Sequence, residues 1–267
     1  MEIESDDRRK NMKYTEFGTE NEKTLMIFVG GGVYWNPAGL PFIEVAEKYY
    51  HIIMVAYDGF NGEEREKEAP QEQIYEHEAA CAIRYIKERF GGRIDVMYGC
   101  SAGAWILTEV LHSGQVQVKT AIVDGMDMKS FPKWWRGNIS NIMASIIYKS
   151  VTDPKFATKV TGQPWEELEK KICTWVTKDT YKRLCAANCG YQIKFDAFDK
   201  ADMHVWYGDK GKYDRSFQKM AKMHINDTAR ITMKVEKDCG HGGLFAEPER
   251  MMRAIMAADQ GNTEYVI

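Results

Sequence analysis

Four short apolar runs, each separated from the next by a segment long enough for a helix, constrain this chain more than any other feature. Leu25–Val29 ends abruptly in Gly30-Gly31-Gly32, His51–Ala56 is closed by Asp58-Gly59, and Ile94–Tyr98 and Val118–Val123 follow. A continuous apolar run of this length suits a strand buried on both faces of a parallel sheet. Between them, Pro41–Tyr50 reads as a short helix. Ile74–Phe90 reads as a longer one, with Ile74, Cys81, Tyr85 and Ile86 on one face and Gly91-Gly92 as its stop. A further helix is expected near Ala102–Leu111, and Met12–Phe17 alternates weakly, as an edge strand does. Strand and helix alternating at this spacing predict an α/β fold, a mostly parallel, doubly wound sheet with helices on both faces.

The rhythm breaks after Asp124-Gly125. No strand of comparable strength follows until Met203–Tyr207 and Arg230–Val235, and helical patterns fill the interval at Ile139–Ser150, Trp165–Trp175 and Thr180–Ala187. Helices at Arg215–Met223 and Pro248–Ala258 complete the reading. The organisation expected is one core domain, residues 1–127 and 197–267, interrupted by a helical insertion over 128–196. From Lys129 to Arg183 that insertion has eleven Lys/Arg against five Asp/Glu, about +6, while the rest of the chain is about −9.

Composition narrows the classes of partner. With 36 basic and 39 acidic residues among 267, the net charge is −3 and no domain-wide basic excess invites nucleic acid or an anionic membrane. The first ten residues are charged throughout with no apolar stretch behind them, unlike a secretory signal. No apolar run approaches the roughly 18 residues of a membrane span. The six cysteines are scattered, as reduced thiols are, and a cytoplasmic protein is expected.

Three stretches have residue types suited to chemistry. Gly99-Cys100-Ser101-Ala102-Gly103 matches G-x-S-x-G directly after a strand and at the start of a helix. The turn needs small residues at 99 and 103, where a side chain would meet the neighbouring strand or helix, and it holds the serine in a strained backbone with its hydroxyl exposed. Cys100 is expected to point into the fold. Gly30-Gly31-Gly32 lies at a strand end, where backbone amides can face a developing oxyanion and each contribute about 3 kcal/mol. Gly240-His241-Gly242 follows the last strand, the place for a mobile general base. The other histidines, His51, His77, His112, His204 and His224, fall in predicted strands or helices or at their ends. His77-Glu78 opens no zinc site, because the residue four past His77 is Cys81, and no metal is expected.

On these motifs the chain resembles the α/β-hydrolase superfamily of serine esterases, lipases and peptidases, in a form with a helical cap inserted after the sixth strand of the fold. The resemblance runs from about Met12 to Ala258. It implies Ser101 as nucleophile, His241 as general base, and an oxyanion hole of backbone amides at Gly32 or Val33 together with Ala102. It implies no cofactor. Gly31, Trp35, Trp134 and Trp135 are expected to line an apolar substrate pocket. The acid of the triad departs from the family pattern: the third residue after Gly208 is Gly211, so the nearby carboxylates are Asp209 and Asp214, with Asp124 and Asp127 as a less usual alternative. The activity implied is cleavage of a small carboxylic ester or related acyl compound through an acyl-serine. Amide, thioester or carbon–carbon cleavage on the same groups, or ligand binding on a hydrolase scaffold with weakened catalysis, are the alternatives.

Overall fold

The computed structural model of the chain describes residues 12–30, 41–57, 60, 74–126, 132–161, 165–168, 176–210, 219 and 231–267. Seven strands form one sheet: β1 (Lys13–Phe17), β2 (Thr24–Phe28), β3 (His51–Ala56), β4 (Arg93–Cys100), β5 (Gln117–Asp124), β6 (Asp202–Gly208) and β7 (Ile231–Glu236). Their spatial order is β1-β3-β2-β4-β5-β6-β7. All neighbours are parallel except β1, which runs antiparallel along the edge of β3.

The apolar runs become strands because both of their faces are covered. Every residue of β2 is buried, and its side chains alternate between two cores. Met26 and Phe28 join the cluster under α2 (Ile74–Phe90) and α3 (Ala102–Ser113). Leu25 and Ile27 join the cluster under α1 (Pro41–Ala46) and α8 (Pro248–Asp259). Helices on both faces of a parallel sheet are the doubly wound arrangement.

Between β5 and β6 lie α4 (Lys133–Thr152), α5 (Pro154–Thr161), α6 (Trp165–Leu168) and α7 (Lys178–Gly190). The interruption expected from the sequence therefore contains helices and, among its described residues, no strand. It is seated on the sheet domain by aromatic rings. Tyr75 of α2 meets Trp105 of α3 and Tyr191 after α7, with ring centroids 5.3 Å and 5.2 Å away. The Tyr75 hydroxyl also donates to the Asn188 side chain. Of the helix expected at Arg215–Met223 only Lys219 is described, in helical conformation, and the end of the one expected over Trp165–Trp175 lies outside the described residues.

Candidate active site

The chain leaves β2 toward β3 on one side of the sheet and leaves β4 toward β5 on the other. Such a reversal opens a crevice outside the carboxyl ends of the two strands, where ligands of open α/β sheets bind. Gly30 follows β2 at one side of this switch point, and Ser101 follows β4 at the other.

Ser101 has φ 53° and ψ −116°, one of two described non-glycine residues with positive φ. A serine held there stores strain that its surroundings must impose. The surroundings do so by close packing. A β-carbon at Gly99 would stand 2.6 Å from the Gly103 carbonyl oxygen, and one at Gly103 would overlap the carbonyl of Phe28 in β2. Strand and helix thus touch through the two glycines, and the turn between them has no room to relax. The Ser101 amide donates to the Asp124 carbonyl at 2.8 Å, tying the turn to the end of β5. Its half-buried side chain makes no capping bond to α3. Ala102 is the first residue of α3, where backbone amides have no carbonyl of their own helix to bind. Cys100 is 4% exposed and points into the core, as expected.

His241 lies in the exposed turn after β7, followed by Gly242 at φ 64°. A β-carbon on Gly242 would be 3.3 Å from the Cys100 sulfur, so the histidine's loop rests on the turn that contains the serine. The loop is also pinned from the side. Lys210 donates its amide to the Cys239 carbonyl at 2.8 Å, and Gly208 is in such close contact with Cys239 that a β-carbon there would lie 2.5 Å from the same oxygen.

Beneath this loop lies a buried polar cluster that includes Asp124, the less usual candidate for the triad acid. Asp124 ends β5 at 1% exposure and accepts a hydrogen bond from the Tyr98 hydroxyl. Glu236 ends β7 fully buried. Burial, and after it the negative charge of Asp124, pushes the Tyr98 phenol well above its ordinary range, with Cys100 and Glu236 adding to the shift. Burial likewise raises the Cys239 thiol to about 11. The sequence offers Asp124 as a candidate acid at a strand end but gives no sign of Glu236, which only the three-dimensional packing brings near Tyr98 with it.

The remaining expected residues divide in two. Gly31, Gly32, Val33, Trp35, Asp127 and Asp214 lie outside the described residues. Asp209 stands exposed one position past β6, its amide donating to the Glu236 carbonyl at 3.1 Å. Trp134 and Trp135, expected to line a substrate pocket, stand on α4 at 76% and 49% exposure. No cluster among the described residues could hold a metal ion.

No protein-family profile and no curated protein matches the chain. Solved structures do. The chain is similar to a protein from Desulfitobacterium hafniense assigned to the alpha/beta hydrolase family, at 20% identity over 91% of this chain and 98% of that one, with a TM-score of 0.71. It is similar to MenH from S. aureus, at 13% identity over 94% and 98% of the two chains, with a TM-score of 0.71. An esterase from a Rhodococcus species aligns at 15% identity over 93% and 94%, with a TM-score of 0.68. At these identities the likeness is one of fold.

Proposed function

We propose that this chain, whose fold is that of the α/β hydrolases, is a serine hydrolase that cleaves a small carboxylic ester or related acyl compound. The observation that carries the reading is the backbone of Ser101, held at φ 53° between two glycines that admit no side chain. A structure that imposes such strain on a serine at the mouth of a switch-point crevice favours its hydroxyl as a nucleophile. Esterases among the similar structures support the same chemistry.

In this reading the Ser101 Oγ attacks the acyl carbon while His241 takes the hydroxyl proton. The carbonyl electron pair moves onto its oxygen, which the Ala102 amide and a second amide at Gly32 or Val33 stabilise. As the carbonyl re-forms, the ester C–O bond breaks and His241 protonates the departing alcohol. Water then attacks the acyl-serine by the same route and releases the acid. A carboxylate is required to hold the imidazole in one tautomer, with Asp214 and Asp209 as its candidates. Residues 128–196 form the cap of this reading, a helical roof beside the crevice. The same groups serve amides, thioesters and activated carbon–carbon bonds. The five described cysteines form no disulfide, which fits a reducing compartment such as the cytoplasm.

The test is covalent. A fluorophosphonate should label the protein on the peptide containing Ser101, and a chromogenic acetyl ester should give a burst of one product per chain. Labelling that persists in Ser101→Ala would overturn the assignment.

A further inference from the structure

Helix α4 is apolar on two opposite sides. Ser140, Ala144 and Val151 are buried, and Met143, Ile147 and Tyr148 pack beside them against the core. At about 100° per residue, Trp135, Ile142 and Ile146 fall on the far side of the same helix. They are 49%, 61% and 51% exposed. Trp134 adjoins them at 76% exposure and meets Trp135 edge to face, ring centroids 5.1 Å apart. A helix apolar all round ordinarily has both sides covered, and a surface of two tryptophans and two isoleucines marks an interaction site.

Charge identifies what covers it. From Lys133 to Thr161 the chain has five cations, Lys133, Arg136, Lys149, Lys155 and Lys159, against Asp153 alone, a local charge of about +4. Lys149, beside the apolar ridge, and Lys155 and Lys159 of α5 are all exposed. The whole-chain charge of −3 from which no membrane contact was expected averages this patch away.

We propose that α4 docks the protein on an anionic lipid surface. Trp134, Trp135, Ile142 and Ile146 enter the boundary between headgroups and acyl chains, where amphipathic indole rings are favoured, and the exposed Lys149, Lys155 and Lys159 meet anionic headgroups. No helix of the described residues is long and apolar enough to cross a membrane, so this helix lies on the surface. A second copy of the chain fits less well. An isologous pairing over this ridge would set Lys149 and its neighbouring exposed lysines against the same lysines of the second copy, and four apolar side chains fall far short of the roughly 20–30 residues a side in a stable dimer. A bilayer needs neither shape match nor large area.

The test needs no turnover, so it stands apart from the hydrolase reading. The full chain is sedimented with vesicles of phosphatidylcholine alone and with vesicles containing one-third phosphatidylglycerol. Binding to the anionic vesicles should be at least about tenfold stronger and should weaken in high salt. Trp134→Ser with Trp135→Ser, and separately Ile142→Ser with Ile146→Ser, should each lower it about tenfold or more. Lys155→Glu with Lys159→Glu, two exposed lysines of α5, should do the same with thermal unfolding unchanged. Equal binding to both vesicles, or binding indifferent to the apolar substitutions, would overturn the proposal. So would a concentration-dependent dimer in light scattering that the same substitutions abolish, which would assign the surface to a second copy.

Discussion

Gly242, which follows His241, lies so close to Cys100, which precedes Ser101, that a β-carbon on the glycine would be 3.3 Å from the sulfur. The two ends of the proposed catalytic pair are therefore in register through residues that do no chemistry themselves. The left-handed φ of 64° at Gly242 makes the turn, and the missing side chain lets it rest on the thiol.

Gly242→Ala should move the histidine's loop off the serine's turn. A displacement of this kind costs catalysis more than stability, so kcat/KM should fall by about tenfold or more while the melting temperature drops only a few degrees. Cys100→Ala in the same chain should restore part of the loss by opening the space. A double-mutant cycle measures the coupling, and strictly additive effects would show that the contact does not position His241.

Gly103→Ala addresses the turn itself. Its β-carbon would meet the Phe28 carbonyl, which the β2 ladder fixes in place, so neither partner can yield cheaply. Overpacking of this kind costs about 1–3 kcal/mol. Chemical denaturation should show that loss, and fluorophosphonate labelling should fall even in the fraction that remains folded. Gly137→Ala, where a β-carbon would meet nothing within 4 Å, is the control.

Much of this arrangement can be read in the sequence because it rests on burial along single elements. The run Thr24–Phe28 is apolar throughout because both faces of β2 are covered, and Ile74–Phe90 has the period of a half-buried helix. Helix α5 escapes such a reading: Pro154–Thr161 is short, and its lysines interrupt the apolar period. The Tyr98, Asp124 and Glu236 cluster escapes it for a different reason. It depends on the register that sets Cys100 opposite Asp124 and Asp124 opposite Trp206, across strands far apart in the chain. The tryptophans of α4 show their hydrophobicity in the sequence, but how far each is exposed follows only from how the helix is seated.

The triad acid separates by substitution. Asp209 is exposed, and its backbone amide rather than its side chain ties it to β7. Asp209→Asn should therefore stay within about tenfold of the parent in turnover, whereas loss of a true triad acid costs about four decades with the fold intact. That larger loss is expected of Asp214→Asn. Full activity in both variants would point to Asp124 or to a Ser–His dyad. Asp124→Ala should lower the melting temperature in any case, because it leaves the buried Tyr98 hydroxyl without its acceptor.

Acid should weaken the fold in two stages. Burial lowers the pKa of His204 from 6.5 to about 4; Asp202 opposes the shift and Lys234 adds to it. Between those values the unfolded chain binds a proton that the folded chain refuses. The stability this neutral histidine contributes is complete above pH 6.5 and is lost as pH falls toward about 4. The slope from one such group reaches at most about 1.4 kcal/mol per pH unit. His204→Gln, which takes up no proton, should flatten the fall of melting temperature across that window, and an unchanged slope would assign it to other groups. Asp259 acts lower. Its burial opposes ionisation, but hydrogen bonds from Lys119, Lys23 and Tyr50 outweigh it and hold the carboxyl below its ordinary 3.8. The contribution of Asp259 is present above that value and is lost as pH falls through the depressed one. Asp259→Asn should melt well below the parent at neutral pH, and the gap should close only as the pH drops below 3.8, as calorimetry across buffers would record.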